Sequence, residues 1–230
     1  MLSRMQRTAC KANGESACPA KKQKPETLLG GKSMDLISYS ELKNHLLSIS
    51  VARDRALLCL IYASMSRVGE ITYGRYTKTR PFAGADIHSF ENRIELYVKG
   101  EKGGTFRKVP VFRNREQWLV TIIENWRDRI GDGPLFPFST QWAQVVFKRW
   151  FPDIFSNRGG NPDGSKHTIH WLRGWRYSHY RRGEVTGSKV ESKVASLLGG
   201  WVSSAVPERF YDLTKIDDHM EELENVKAVL

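Results

Sequence analysis

The stretch DRALLCLIYASM, residues 54–65, decides the fold, because it is apolar at most of its positions. A helix without a polar face must be buried on most sides, so this segment predicts the central helix of the core. Its end delivers Ser66, Arg67 and Glu70 to the edge of that core. An arginine there needs an anion, and we expect it either to pair with Glu70 or to meet a ligand phosphate.

Helical signals surround this stretch on both sides, with one interruption. Ser38 and Glu41 have the S-x-x-E spacing of a capping box and predict a first helix of about ten residues. Residues 93–111 alternate apolar and polar positions around a Gly-rich turn at 100–104, which predicts a β-hairpin. Further helices are predicted at residues 116–130, 139–150, 170–182, 189–198 and 215–229. The expected fold class is mainly α (α+β), a helical body with a small antiparallel β-sheet.

The N-terminal segment differs from the rest of the chain in composition. Residues 1–33 mix Lys, Pro, Gly, Ser and Ala without periodicity, which is typical of a flexible basic arm. We therefore expect the folded domain to occupy residues 34–230, with 216–230 as its C-terminal helix.

Composition excludes several classes of protein. No apolar run approaches the roughly 20 residues that span a bilayer, so we expect no membrane partner. The three cysteines, Cys10, Cys18 and Cys59, are too few for a disulfide scaffold, and the N-terminus lacks the apolar core of a secretory signal. The expectation is an intracellular protein. Cys10 and Cys18 lack a second Cys/His pair nearby, so no zinc site is expected there.

The charge balance points to a polyanionic partner. The chain has 36 Lys and Arg against 25 Asp and Glu, a formal charge of +11. Residues 1–33 carry +5 and residues 212–230 carry −4, which leaves +10 on residues 34–211. The folded body is therefore basic in its own right, as expected of a nucleic-acid-binding protein.

Four further features could carry chemistry, and each has an ordinary alternative. His170 and Arg173 share one helix face, so they could touch one phosphate or form a solvated basic face. Lys102 lies at the Gly-rich hairpin tip, where a lysine could reach into a groove or only aid solubility. Trp201, after a Leu-Leu-Gly-Gly run, and Tyr211 would by default be core or structural aromatics.

The joint order of these residues resembles the tyrosine recombinase (phage integrase) family from about residue 38 to 211. ASMSRVGEI (63–71) resembles the family box A-T-G-x-R-x-x-E-(L/I). VKGEKGGTFRKVP (98–110) resembles the hairpin G-K-G-x-K-x-R-x-V-P and selects Lys102 over Lys99. PLFP (134–137), HWLR (170–173) and LLGGW (197–201), followed by Tyr211, resemble the remaining boxes.

The resemblance implies a tyrosine-recombinase catalytic domain at residues 34–230 and a site-specific DNA recombinase or integrase that forms a 3′-phosphotyrosyl intermediate. The implied roles are: Arg67 and Arg173 clamp the phosphate, Lys102 is the general acid, His170 the base, Trp201 an indole N–H donor, Tyr211 the nucleophile, and Glu70 orients Arg67. No cofactor or metal is implied. The implied partner is double-stranded DNA, with self-association into a tetramer on paired sites and residues 216–230 docking on a neighbouring protomer.

Three departures from the family pattern leave alternatives open. Gly174 replaces a common histidine, Trp201 or Gly200 could occupy the His/Trp position, and only the arm precedes the catalytic region. The alternatives are a type IB topoisomerase-like enzyme and a non-catalytic DNA-binding or architectural protein. The leading interpretation is integration or excision of a viral, plasmid or other mobile element, in the cytoplasm or nucleoid, or in a host cell if viral.

Overall fold

The central helix predicted from the sequence organises the protein. The computed structural model describes residues 37–73, 80–100, 106–152, 169–205 and 207–208. The helices are α1 Tyr39–Ser48, α2 Ala52–Ser64, α3 Val68–Ile71, α4 Arg113–Ile130, α5 Thr140–Trp150, α6 Trp171–Arg181 and α7 Ser192–Gly199. The strands are β1 Ile87–Ser89, β2 Arg93–Lys99 and β3 Phe106–Phe112. The described part of the chain is thus mainly helical, with a small antiparallel sheet, as predicted.

Helix α2 forms the centre of the core, and its residues are buried almost throughout. Its side chains are covered from Ala56 to Ser64, and it contacts α1, α4, α5 and α6. The capping box at the start of α1 also forms as predicted: the Glu41 N–H donates to Ser38 Oγ at 3.2 Å, and the Ser38 N–H donates to Glu41 Oε2 at 3.0 Å.

The sheet has the strand order β1-β2-β3, and both pairings are antiparallel. The predicted hairpin is β2 and β3, paired from Arg93 opposite Phe112 to Lys99 opposite Phe106. Its alternation places Ile94, Leu96 and Val98 in the core. Strand β1 was not predicted from the sequence, because it has three residues and buries only its first, Ile87. The one-turn helix α3 was not predicted either.

Two predicted helix starts differ from the structure. Helix α4 begins at Arg113, directly after β3, and bends at Glu116, whose φ of −134° is not helical. Helix α7 begins at Ser192 instead of residue 189, because the Val190 N–H bonds back to the carbonyl of Tyr180 at 3.0 Å and forms a turn there. Ser139 caps α5 as predicted, accepting from the Trp142 N–H at 3.3 Å.

A buried polar network ties α1, α4 and α6 together. The Arg176 guanidinium forms a bidentate pair with the Glu116 carboxylate, with Nη2 to Oε2 at 2.6 Å, and also donates to Tyr180 Oη at 2.9 Å. Tyr39 Oη donates to the same carboxylate at 3.2 Å and accepts from Trp118 Nε1 at 3.0 Å. A buried guanidinium must be paired with acceptors, and the Glu116 carboxylate and the Tyr180 hydroxyl supply them for Arg176. These contacts hold the kink of α4 at Glu116 in place.

A second network anchors the start of the described body. His179 Nδ1 lies 2.8 Å from Tyr62 Oη, and Nε2 lies 2.7 Å from the carbonyl oxygen of Ile37. A carbonyl can only accept, so Nε2 carries the proton and the neutral ring satisfies both partners. The Tyr39 N–H adds a 2.7 Å hydrogen bond to Glu184 Oε2.

The apolar core forms two clusters. The larger one surrounds α2 and joins the sheet to α4, α5 and the start of α6. The smaller one contains Met65, Tyr177, Tyr180, Val185 and Ala195, with Trp201 packed against it. It therefore connects the residue that follows α2 to α6 and α7.

The predicted arm at residues 1–33 and the predicted helix at 215–229 lie outside the described residues. Among the helices that the structure describes, none is both long enough and apolar enough to cross a membrane.

Candidate active site

The turn after α2 presents the first candidate arginine. Met65 adopts the left-handed conformation (φ 48°, ψ 36°) that ends α2, and Arg67 then caps α3. The Arg67 N–H donates to Glu70 Oε2 at 2.9 Å, and Arg67 Nη1 donates to Glu70 Oε1 at 3.1 Å. Of the two expectations for Arg67, the ion pair with Glu70 is present. The Arg67 side chain is still 35% exposed, so it can also meet a ligand.

A second arginine, which has no role in the sequence-based prediction, contacts the same carboxylate. Arg107 reaches across from β3, and its Nη2 donates to Glu70 Oε2 at 2.8 Å and to Ser66 Oγ at 3.0 Å. Burial raises the pKa of the Glu70 carboxyl, but Arg107 first, and then the Arg67 N–H and Arg173, hold it below its usual range. Glu70 is therefore a buried, ionised carboxylate between two arginines.

His170 and Arg173 stand together at the start of α6. His170 is the N-cap residue and is half-buried, while Arg173 is completely buried in the first turn. Burial, together with the positive charges of Arg173 and Arg67, lowers the pKa of His170 to about 4. The ring is thus neutral at pH 7 and can accept a proton. The positive charges of both arginines act on His170, so the segments that carry Arg67 and His170 lie near each other in the fold.

Trp201 covers the buried Arg173. The guanidinium carbon of Arg173 lies 3.9 Å from the centre of the Trp201 ring, and Arg173 Nη2 donates to the carbonyl of Gly199 at 2.7 Å. Tyr177 meets the same ring edge-on at a centroid distance of 5.7 Å. Glycine at residue 199 makes room for this ring, because a β-carbon there would come within 1.8 Å of the indole.

Gly200 and Trp201, at the end of α7, contact different arginines. Gly200 is the left-handed C-cap of α7 (φ 73°), and its α-carbon faces the side chain of Arg107. Of the two candidates for the His/Trp position, Trp201 is the one whose side chain contacts Arg173.

Two predicted site residues, Lys102 and Tyr211, lie outside the described residues. The structure brings together the other five, which come from the turn after α2, the start of α6 and the end of α7. These are Arg67, Glu70, His170, Arg173 and Trp201. Arg107 joins them from β3.

The cluster carries more positive than negative charge, since Arg67 and Arg107 pair with one carboxylate, Arg173 adds a third positive charge, and His170 is neutral at pH 7. Guanidinium groups at a partly open surface bind phosphate oxygens through charge-assisted hydrogen bonds. In the described ranges, no three His, Cys, Asp or Glu side chains are grouped to hold a metal ion. The arrangement can therefore bind an anion of the phosphate type and offer it a neutral imidazole.

No protein-family model matches the chain. No curated protein matches it in sequence.

Solved structures match the chain in fold at low sequence identity. XerA recombinase matches with a TM-score of 0.58 at 15% identity, over 84% of this chain and 65% of that one. XerH site-specific recombinase, bound to palindromic difH substrate in a post-cleavage complex, gives 0.57 at 16% identity, over 84% and 52%. A lambda integrase dimer bound to a COC′ core site gives 0.51 at 18% identity, over 76% and 47%.

The chain spans about half to two thirds of the length of these proteins, with 65% the largest share of the three. The chain therefore has the mainly helical fold of a tyrosine-recombinase catalytic domain.

Proposed function

We propose that this protein is a site-specific DNA recombinase that cleaves and rejoins DNA through a 3′-phosphotyrosyl intermediate. The observation that carries the proposal is the cluster of Arg67, His170 and Arg173 in a fold shared with recombinases. Within this cluster, Arg173 packs against the Trp201 ring. The fold brings these four residues together from three segments of the chain, which contain residues 67, 170–173 and 201. A solvated basic face would not require a completely buried arginine.

The proposed reaction is a transesterification at one phosphodiester. The hydroxyl of Tyr211 attacks phosphorus, the bond to the 5′-oxygen breaks, and the 3′-phosphate becomes linked to the tyrosine. The negative charge that develops on the non-bridging oxygens is stabilised by preorganised Arg67 and Arg173. A 5′-hydroxyl of a second strand then reverses the step, so the bond energy is conserved and neither ATP nor a metal ion is expected.

Two proton transfers accompany the attack. The phenol of Tyr211 has an ordinary pKa near 10 and must lose its proton as it attacks, and neutral His170 is the proposed base. The departing 5′-oxygen takes a proton from Lys102. Trp201 donates its indole N–H to a non-bridging oxygen, and Glu70 orients Arg67.

Double-stranded DNA is the proposed partner, and self-association into a tetramer on paired sites is proposed with it. Residues 34–230 would form the catalytic domain and residues 1–33 a basic arm. The basic body predicts affinity that falls steeply with salt. Val194, Leu197 and Val202 are exposed on and after α7. Such an apolar face suits the predicted helix 216–230 of a neighbouring protomer.

The biological role proposed is integration or excision of a viral, plasmid or other mobile element, wherever that element's DNA resides. The test is an SDS-resistant protein–DNA adduct assay on supercoiled DNA that carries the sequences flanking the gene. Wild type is compared with Tyr211→Phe and with Tyr73→Phe, a control at an exposed tyrosine.

The proposal expects a 3′-linked adduct from wild type and Tyr73→Phe and none from Tyr211→Phe. An adduct that survives Tyr211→Phe contradicts the mechanism. Relaxation of any supercoiled plasmid by a monomer would identify a topoisomerase, and salt-sensitive binding without an adduct would identify a non-catalytic DNA-binding protein.

A further inference from the structure

We propose that Arg107 is a positioning residue, which keeps Arg67 available to a phosphate by occupying the second oxygen of Glu70. The inference deepens the proposed function, on which it rests, because it names how the same phosphate clamp is held. Arg107 lies near the tip of the hairpin, and its side chain is only 12% exposed.

The two oxygens of Glu70 are divided between two arginines. Oε1 accepts from Arg67 Nη1 at 3.1 Å, whereas Oε2 accepts from Arg107 Nη2 at 2.8 Å and from the Arg67 backbone N–H at 2.9 Å. Arginine and carboxylate groups favour bidentate pairing when both oxygens are accessible. Arg107 and the Arg67 backbone N–H together fill Oε2, so the Arg67 guanidinium contacts the carboxylate with one nitrogen and keeps its remaining donors for a ligand.

The charge balance gives Arg107 a second effect. Glu70 is completely buried at its side chain and ionised, and a buried carboxylate strongly attracts the nearest cation. With Arg107 as its partner, the negative charge is compensated without using the whole charge of Arg67. Without Arg107, the carboxylate would compete with a phosphate for Arg67.

Arg107 also joins two parts of the site that the chain places far apart. Its Nη2 donates to Ser66 Oγ at 3.0 Å, next to Arg67. On the other side it packs on Gly200, where an added β-carbon would lie 3.0 Å from Arg107 Cδ. The hairpin strand β3 is thereby fixed to the turn that presents Trp201. A shorter side chain at residue 107 would loosen both contacts.

The test uses a double-mutant cycle of Arg107→Met and Glu70→Gln. The matched control cycle is Arg113→Met and Glu124→Gln, a bidentate pair at 2.7 and 2.8 Å at the far end of β3. The first measurement is the affinity of the DNA-free protein for inorganic phosphate. The second is the single-turnover rate of adduct formation at saturating DNA, and thermal unfolding monitors folding.

Arg107→Met should weaken phosphate binding about tenfold, within the range for coupled neighbours, and slow adduct formation about a hundredfold, as expected for a displaced clamp. Adding Glu70→Gln should recover much of both losses, because a neutral amide does not compete for Arg67. Arg107→Lys keeps the charge and one donor and should be intermediate. The control cycle should leave both quantities unchanged.

The outcomes separate the two proposals. The positioning role is overturned if the Arg107→Met variant matches wild type in phosphate affinity and adduct rate. It is also overturned if the double variant is as impaired as Arg107→Met alone. If wild type forms no adduct but the phosphate affinities follow the expected pattern, the positioning role stands and the recombinase function fails. Wild type that neither binds phosphate nor forms an adduct overturns both.

Discussion

Arg173 packs against Trp201: the Arg173 guanidinium carbon lies 3.9 Å from the centre of the indole ring. The Arg173 side chain is completely buried. The hydrogen bond from Arg173 Nη2 to Gly199 fixes the guanidinium in its plane. An arginine held in this way has a fixed rotamer before any anion arrives, because its contacts are already formed.

Replacing Trp201 should separate the stabilising effect of the ring from its proposed donor role. Trp201→Leu should lower the free energy of unfolding by about 2 kcal/mol, since it removes a desolvated cation–π contact. Trp201→Phe keeps an aromatic face and should be closer to wild type in urea unfolding. It should nevertheless slow adduct formation, because it lacks the indole N–H. Equal adduct rates for Trp201→Phe and wild type would exclude the donor role.

Gly199→Ala should disturb the same contact from the other side. The new β-carbon would meet the Trp201 ring at 1.8 Å, so the ring must move, at a cost of about 1–3 kcal/mol of overpacking. Gly133→Ala is the control, because a β-carbon there meets nothing within 4 Å. In a Trp201→Leu background most of the cost of Gly199→Ala should disappear. An unchanged cost in that background would contradict the assigned contact.

His170 should respond to an anion, whereas His179 should not. Burial and the nearby Arg173 and Arg67 lower the pKa of His170 to about 4 in the DNA-free protein. A phosphate bound to those arginines adds negative charge, which favours the protonated ring and should raise this pKa. NMR titration of both histidines, with and without inorganic phosphate, measures the change. A shift of equal size at His179 would indicate a general effect of salt instead of binding at the cluster.

His179 should make the fold sensitive to acid. Burial lowers its pKa to about 4, against about 6.5 in the unfolded chain, so the unfolded state binds the proton first as the pH falls. The free energy of unfolding should therefore decline between pH 6.5 and 4, by about 3 kcal/mol from this residue. His179→Gln should be less stable at pH 7 but flatter over this range in urea unfolding. A parallel decline in both proteins would show that other groups cause it.

Much of the fold could be predicted because local patterns determine it. Three local patterns were sufficient: the continuous apolar run of α2, the Ser38–Glu41 box and the period-two alternation in β2. They predict a buried helix, a helix start and a strand, respectively. Strand β1 could not be predicted, because a three-residue strand with one buried side chain has no periodicity to detect. The late start of α7 follows from a hydrogen bond to α6, which no local pattern contains.

The candidate site was predictable in its members but not in its contacts. The order of the motifs indicates Arg67, His170 and Arg173, and the structure brings them together. The role of Arg107 depends on a carboxylate on another element, and the low pKa of His170 depends on burial and on charges from two other segments. Such properties arise only when the chain is folded. The one available signal for Arg107 was its place in the hairpin motif.

The left-handed residue at the end of α2 couples the site to a piece of the core. The family box has glycine at this position, where a left-handed backbone costs nothing, but this chain has Met65 at φ 48°. Its side chain is completely buried in the smaller apolar cluster, together with Tyr177 and Ala195. Opening the turn that carries Arg67 would thus remove Met65 from its contacts with α6 and α7. We expect the backbone amides of both regions to exchange with deuterium through one shared opening, as a single cooperative unit.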